Sequence, residues 1–230
     1  MRQVLSVLMV MICCAGAASA DQLRVISTTG HGAVEAAPDM ATLRLGVTHE
    51  ARQAADAMTA TSQGVGAVLS RLTEAGVAAR DMQTDSVSLQ PVWSGRGSTS
   101  TAPPKITGFV ASNSLTVRVR DLDTLGGILD LVVSDGANTF NGLSFGLQEP
   151  KPAADAARAE AVRDAIDRAQ QLAEAAGLAL GPIQSITESG AMPRPQMMEM
   201  AAARQMDAPI AAGELTVEAQ VHIVFAIEDD

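Results

Sequence analysis

Cysteine is nearly absent. The only two, Cys13 and Cys14, fall in an apolar run from Val4 to Ala18 that follows Arg2 and ends on Ala18-Ser19-Ala20. A charged start, an apolar stretch and a small-x-small site read as a secretory leader. The sequence therefore predicts a signal peptide over 1–20, cleaved after Ala20, and a domain over 21–230. The run is too short to span a bilayer. Neither cysteine follows the small residue expected of a lipid-attachment site, because Ile12 precedes Cys13 and Cys13 precedes Cys14. With both cysteines gone, the domain has no disulfide, no thiolate nucleophile and no cysteine ligand. It must stand on its core alone, and about 210 residues can build one domain or two closely packed lobes.

Aromatic residues are scarce too. Tyrosine is missing, tryptophan occurs once and phenylalanine four times. That poverty speaks against stacking platforms for bases or sugars. Basic charge is in the minority, with 16 Lys and Arg against 26 Asp and Glu, a net −10. An acidic surface opposes phosphate neutralisation, so no nucleic-acid partner is expected. No later segment is long and apolar enough to be transmembrane.

What is present is periodicity. From Pro152 onward apolar residues recur at helical spacing (Val162, Ala165, Ile166, Ala169, Leu172, Ala173, Ala176), with charges on the other side. Asp164 and Arg168 stand four apart, Glu160 and Arg163 three apart. Gly177 suits a left-handed cap, and Gly181-Pro182 leads into a short strand. An alanine-rich face lets such a helix lie close against a sheet. A second long helix is expected from about Ala51 to Ala75, with a stripe of Ala54, Met58, Val65, Val68, Leu69 and Leu72, ending at Gly76. A short third helix, capped by Asp121 or Asp123, carries Leu122, Leu125, Ile128, Leu129 and Val132, and Gly136 closes it.

Strands fill the rest. Leu23–Glu35 reads as the first, with Gly30-His31-Gly32 as a bulge or bend. Ala41–His49 alternates cleanly and is expected to be its hairpin partner. Ser86–Trp93, Phe109–Val119 and Thr139–Gln148 follow. The last, from Leu215 to Ile227, alternates most strictly of all. Such alternation predicts an α+β fold: antiparallel sheet or sheets, with two long helices and one short helix on one face and a polar opposite face. The two helix–Gly–strand units read as halves of a pseudo-repeat without close residue identity. Segments 94–105 and 190–212 read as flexible loops.

Candidate chemistry is thin. Gly142-Leu143-Ser144-Phe145-Gly146 matches G-x-S-x-G, but alternation continues past Ser144, so the serine is expected inside a strand and not on a nucleophile elbow. His31, His49 and His222 are the only histidines and have no metal spacing. His49 is expected to point inward, and His222 outward beside Glu218 and Gln220. Arg118 and Arg120 read as a small solvated spot on an outer sheet face. Met192, Met197, Met198, Met200 and Met206 crowd one proline-containing stretch. Thioethers suit Cu(I) and are oxidisable, while methionine also fills adaptable interfaces. These five are the alternative ligand set; otherwise no catalytic, cofactor or metal site is expected.

Several short pieces, in order, resemble the SIMPL-domain family. They are Gly30-x-Gly32 with Pro38-Asp39-x-Ala41, Gly76-Val77, Asp81-x-Gln83-Thr84, Ile106-x-Gly108-Phe109-x-Ala111-Ser112-Asn113, Arg120-Asp121-Leu122, Gly136-Ala137-Asn138 with Phe145, the alanine-rich helix, and Gly213-Glu214. The family commonly has a hydroxylated aromatic after Gly108, where this chain has Phe109. The resemblance runs from about Leu23 to Ile227. It implies a secreted, periplasmic or envelope-associated α+β protein of the periplasmic immunogenic or oxidative-stress defence type. It also implies self-association as a homo-oligomer, an envelope protein as a further partner, and no attached catalytic residue set. The expectation is a non-enzymatic periplasmic protein, with association at the outer membrane as an option, and with a copper binder or methionine oxidant sink as the alternative.

Overall fold

A computed structural model describes residues 24–94, 103–134, 136–189 and 211–228. The leader expected over 1–20, most of the 94–105 loop and the five methionines lie outside them. Among the described residues there are seven strands and three α-helices: β1 (Val25–Ala36), β2 (Met40–Ala51), α1 (Ala54–Glu74), β3 (Met82–Trp93), β4 (Ile106–Val119), α2 (Leu125–Ser134), β5 (Thr139–Gly146), α3 (Lys151–Ala176), β6 (Ala179–Ser189) and β7 (Leu215–Glu228). Asp121 caps the turn into α2 by accepting the Asp123 N–H. No helix among the described residues is long and apolar enough to cross a membrane.

The strands form two antiparallel sheets, β1-β7-β6 and β3-β4-β2-β5. This is the expected α+β class, with one difference in pairing. β1 is not the hairpin partner of β2. It pairs along its whole length with β7, Val25 opposite Ala226 through Ala36 opposite Leu215, while β2 lies between β4 and β5 in the other sheet. The residues 40–146 of the second sheet and its helices are thus inserted between β1 and α3 of the first.

The pseudo-repeat exists as topology. In one lobe β2 and β3 flank β4; in the other β1 and β6 flank β7. Each lobe runs strand, long helix, outer strand, central strand. Each long helix ends at a positive-φ glycine, Gly76 at 89° and Gly177 at 67°, where a left-handed residue is cheapest. At Gly177 the cap closes with Gly177 N–H donating to Glu174 and Leu178 N–H to Ala173.

Each lobe has its own core. Leu43, Leu45, Val47, Leu115 and Val117 of β2 and β4 meet Val65, Val68 and Leu72 of α1 and Leu125, Ile128 and Val132 of α2. Val217, Ala219, Val221, Ile223 and Phe225 of β7 meet Ala157, Ala161, Ala165 and Ala169 of α3. The inner ridge of α3 is alanine at every fourth residue. Leu172, expected on that ridge, is exposed, and Val162 and Ile166 are only partly buried. Successive positions four apart rotate about 40° around the axis, so the ridge slants away from Leu172.

Gly30 and Gly32 explain why the ridge is alanine. The register of β1 runs through them without a shift, so they make no bulge. They lie under α3 instead. A Cβ on Gly30 would stand 2.0 Å from the Ala161 carbonyl oxygen, and one on Gly32 would stand 2.0 Å from that of Ala157. Small residues on both surfaces allow a close helix–strand approach that any larger side chain would prevent.

Candidate functional site

The residues singled out from the sequence do not meet in one place. Ser144 lies inside β5, exposed and opposite Thr42, as a strand residue. His31 is on β1 in the other sheet. His49 is on the helix-covered side of β2, with its Nδ1 buried and unpartnered, as is the Asn113 Oδ1 on the neighbouring strand. Among the described residues no group of three or more His, Cys, Asp or Glu could hold a metal ion.

A different cluster forms at the seam between the lobes. Arg120 is exposed but is not a free outer-face cation. It follows Val119, the last residue of β4, where the chain turns to α2, and grips Asp81 with two parallel bonds, Nε to Oδ2 and Nη2 to Oδ1, both 2.7 Å. Asp81 sits in a one-turn helix before β3 and is only 5% exposed. The Arg120 hydrogen bonds hold its carboxyl below the ordinary carboxylate range and outweigh the opposing effect of burial. Gln148 continues the network. Its Oε1 accepts from Arg120 at 3.4 Å, and its Nε2 donates to the carbonyls of Asp39 and Arg120 at 2.9 and 3.2 Å. Asp39 in turn accepts the Gln148 N–H at 2.7 Å. The two chain crossings between the lobes, at Asp39 and at Gln148, are therefore tied together. Asp39, Asp81, Arg120 and Gln148 each have a partner within this knot, so it fixes the geometry of the seam.

The free surface lies elsewhere, at the outer strands. α3 covers β1 and β7, and α1 covers β2 and β4. The helix-side faces of β6 and β3 extend beyond that cover. Ile183 and Ile186, paired with Phe225 and Ile223, are 44% and 56% exposed. Val87 and Leu89, paired with Asn113 and Ala111, are 55% and 42% exposed. Each lobe thus has one apolar ledge on an edge strand, at the equivalent place in the repeated topology.

The family model SIMPL, described as "Protein of unknown function (DUF541)", matches residues 26–225. This chain belongs to the SIMPL family. It is similar to the "26 kDa periplasmic immunogenic protein" of Brucella melitensis, 38% identical over 211 residues that cover 88% of this chain and 84% of the relative. It is also similar to the "Uncharacterized protein YggE" of Escherichia coli K12, 31% identical over 211 residues, covering 88% and 83%. The Brucella protein's name places it in the periplasm, which supports the same compartment for this SIMPL protein.

The family-like pieces of the sequence now have physical work. Gly30-x-Gly32 admits α3, and Asp39, Asp81 and Arg120 build the seam. One arrangement in this SIMPL fold had no sequence signal. The outer edge of β1 is closed by side chains of α3. The His31 N–H donates to Asp164 Oδ2 at 2.8 Å, and Arg168 Nη1 donates to the Thr29 carbonyl at 3.2 Å. Asp164 and Arg168 also pair with each other at 3.0 Å, as their spacing predicts, whereas Arg163 turns to the Ala159 carbonyl. The Asp164 carboxyl is held below its ordinary value, first by the His31 N–H. A carboxylate and a guanidinium here occupy the bonds that an added strand would make.

His222 faces outward, as its place in the alternation of β7 predicts, and its ring meets two hydroxyls of β1. Its Nε2 is 3.1 Å from Ser27 Oγ and its Nδ1 3.2 Å from Thr29 Oγ1 across the β1–β7 ladder. The Ser27–His222 contact has the length of a nucleophile–base pair. It stands on an exposed sheet face, with the Thr29 hydroxyl where a carboxylate would orient the ring.

Proposed function

We propose that this chain is a non-enzymatic, exported periplasmic protein that works by contact: it self-associates through its two apolar ledges and supports tolerance of envelope or oxidative stress. The observation that carries this reading is the exposure of Val87, Leu89, Ile183 and Ile186 on edge strands. Four large exposed aliphatics on edge strands are an aggregation hazard unless a partner covers them. A second copy offers the same two ledges, so a repeated contact of one kind satisfies both. The stress role rests on the likeness to the family and not on any redox group in the fold. Light scattering across micromolar concentrations tests the assembly; a monomer throughout rejects it.

A second reading has its own observation, the five methionines between 192 and 206. Soft thioethers so close together would take Cu(I) or be oxidised to sulfoxides by peroxide. Cu(I) titration of the wild type and of a variant with these five changed to leucine separates the readings. Equal affinity eliminates the metal site.

A further inference from the structure

The face of the second sheet turned away from α1 is lined with short hydroxyl side chains and carries two unpaired cations. Arg44 on β2 stands opposite Thr116 on β4 and Gly142 on β5, and Thr42 stands opposite Arg118 and Ser144. Directly opposed residues share a face, so Arg44 and Arg118 lie a diagonal apart, about 7–8 Å between backbones. Thr42 lies between them, with Ser144 beside it. Along β2 the next residue on this face is Gly46, and across on β4 it is Ser114. A Cβ on Gly142 would meet nothing within 4 Å, so the ground beside Arg44 is open. Arg44, Arg118 and Ser144 are all exposed.

Neither guanidinium has a hydrogen bond or an ion pair among the described residues. Arg118 is one of three cations whose charge acts on Asp81, with Arg80 and Arg120, but both Asp81 oxygens are taken by Arg120. Arg80 approaches Asp81 at 3.9 Å. Across β4 from Arg44, Asp85 of β3 accepts the Thr116 hydroxyl. Arg44, Arg80, Arg118 and Arg120 thus outnumber Asp81 and Asp85, and still do so when Asp39, which holds the Gln148 N–H, is added. On a chain with a net −10 this is a local reversal of sign. Two like charges a diagonal apart repel, and an anion between them turns that repulsion into two attractions.

We infer that Arg44 and Arg118, with the hydroxyls of Thr42 and Ser144, hold the phosphate group of a phosphate monoester on this face. A guanidinium presents its donors in a planar fork that matches phosphate oxygens two at a time. A carboxylate has only two oxygens and satisfies one such fork. A phosphate monoester has three terminal oxygens and up to two charges, enough for a fork from each side and a hydroxyl from below. Ser144, the serine of the G-x-S-x-G pattern, is then a hydrogen-bond donor and not a nucleophile. The inference does not depend on self-association, because the ledges lie on the helix-side faces and this site on the opposite one.

The full chain, isotope-labelled for NMR, is titrated with inorganic phosphate and with acetate at constant ionic strength. It is also sedimented with phosphatidylcholine vesicles, with and without phosphatidic acid. With inorganic phosphate the amides of Thr42, Arg44, Arg118 and Ser144 should shift and saturate. Affinity should rise with pH as the dianion forms, because guanidiniums stay charged throughout. Arg44→Gln and Arg118→Gln should each weaken binding at least about fivefold, a charged hydrogen bond discounted for solvent exposure. Arg163→Gln, on α3, should bind as wild type. Asp85→Asn should tighten binding, since it removes a negative charge and releases the Thr116 hydroxyl. Saturation by inorganic phosphate assigns the group to a soluble ester. Sedimentation with phosphatidic acid only, lost in both arginine variants, upholds the same site and assigns the group to a lipid headgroup. Binding of neither probe overturns the inference, and so does acetate bound as tightly as phosphate or a weakening by Asp85→Asn. Arginine variants that bind as wild type also overturn it, leaving an adventitious ion only.

Discussion

Gly30 and Ala161 approach so closely that a Cβ on the glycine would lie 2.0 Å from the alanine's carbonyl oxygen and 2.5 Å from the Ala165 nitrogen. Both obstacles are helix backbone, which no rotamer change can move. Thr28, two residues earlier on the same face, donates its hydroxyl to the Ala165 carbonyl at 2.8 Å and fixes the helix at that distance. Gly30→Ala must therefore lift α3 off β1 and open the core of that lobe. A loss of at least about 3 kcal/mol is expected, the range of severe overpacking, and Gly32→Ala should behave alike. Urea denaturation followed by circular dichroism measures it. A loss under about 1 kcal/mol for both variants would show that the helix has room to move.

Gly66 makes the opposite case. It lies inside α1, is exposed, and a Cβ there would meet nothing within 4 Å. Its cost is conformational only. Gly66→Ala should stabilise the protein by about 0.5–1 kcal/mol, measured in the same denaturation experiment. No gain would mean that the glycine serves a contact outside the single chain.

These two positions also show what the sequence could and could not reveal. Strand alternation and helix spacing are local, so β2, β4, β7 and α3 were legible from the order of residues alone. A glycine within a strand has two local meanings, bulge or close approach. Only the position of α3, more than 120 residues away in the chain, decides between them for Gly30. Pairing of β1 with β7 was illegible for the same reason, since neighbours in sequence are the default partners. Arg120 follows the outward parity of Arg118, yet it stands at the strand's end, where the chain turns and Asp81 comes within 2.7 Å. The seam residues appeared in the family-like pieces of the sequence, but nothing in their spacing pairs Asp81 with Arg120. The apolar ledges depend on where each helix stops covering its sheet, which is a property of packing.

The Asp81–Arg120 pair sets an acid limit on stability. The folded carboxyl titrates below the unfolded one. Its contribution is therefore complete above the unfolded carboxyl range, near pH 4, and is lost as pH falls through the depressed folded value. Arg120→Ala removes the contribution at neutral pH and leaves Asp81 buried without its partner. Wild type and variant should differ most in urea midpoint at pH 7, and the gap should narrow below about pH 4. A gap independent of pH would assign the loss to Arg120 packing instead.

The closed edge of β1 predicts a kinetic signature. Asp164→Ala removes the acceptor for His31 N–H and releases Arg168 from its pair. The amides of Thr29 and His31 then face solvent on an unpaired edge. Hydrogen exchange at His31 should speed up by about tenfold, the effect of losing one modest hydrogen bond, and the double variant with Arg168→Ala should aggregate faster on mild heating. Asp164→Asn retains an acceptor oxygen and should protect partially. Exchange at His31 unaffected by Asp164→Ala would mean that the edge is covered by something other than this carboxylate.

The ledges can be separated from exposed apolar surface in general. Leu172 on α3 is as exposed as Ile186, at 53% against 56%, but it lies beside Thr29 and Arg168 near the closed edge of β1, away from β6. A partner that seats on the ledges would feel a charge at Ile186 and ignore one at Leu172. Ile186→Asp and Val87→Asp should each reduce assembly mass in light scattering, with helix content and urea midpoint close to wild type because both side chains already meet solvent. Leu172→Asp should leave the mass unchanged. The pair of ledges also sets the form of the result. If the ledge of one lobe meets that of the other on the next copy, either substitution alone removes the same contact, and combining them adds little. If each ledge meets its own counterpart, the single variants would stop at a smaller closed assembly and only the double variant would be monomeric.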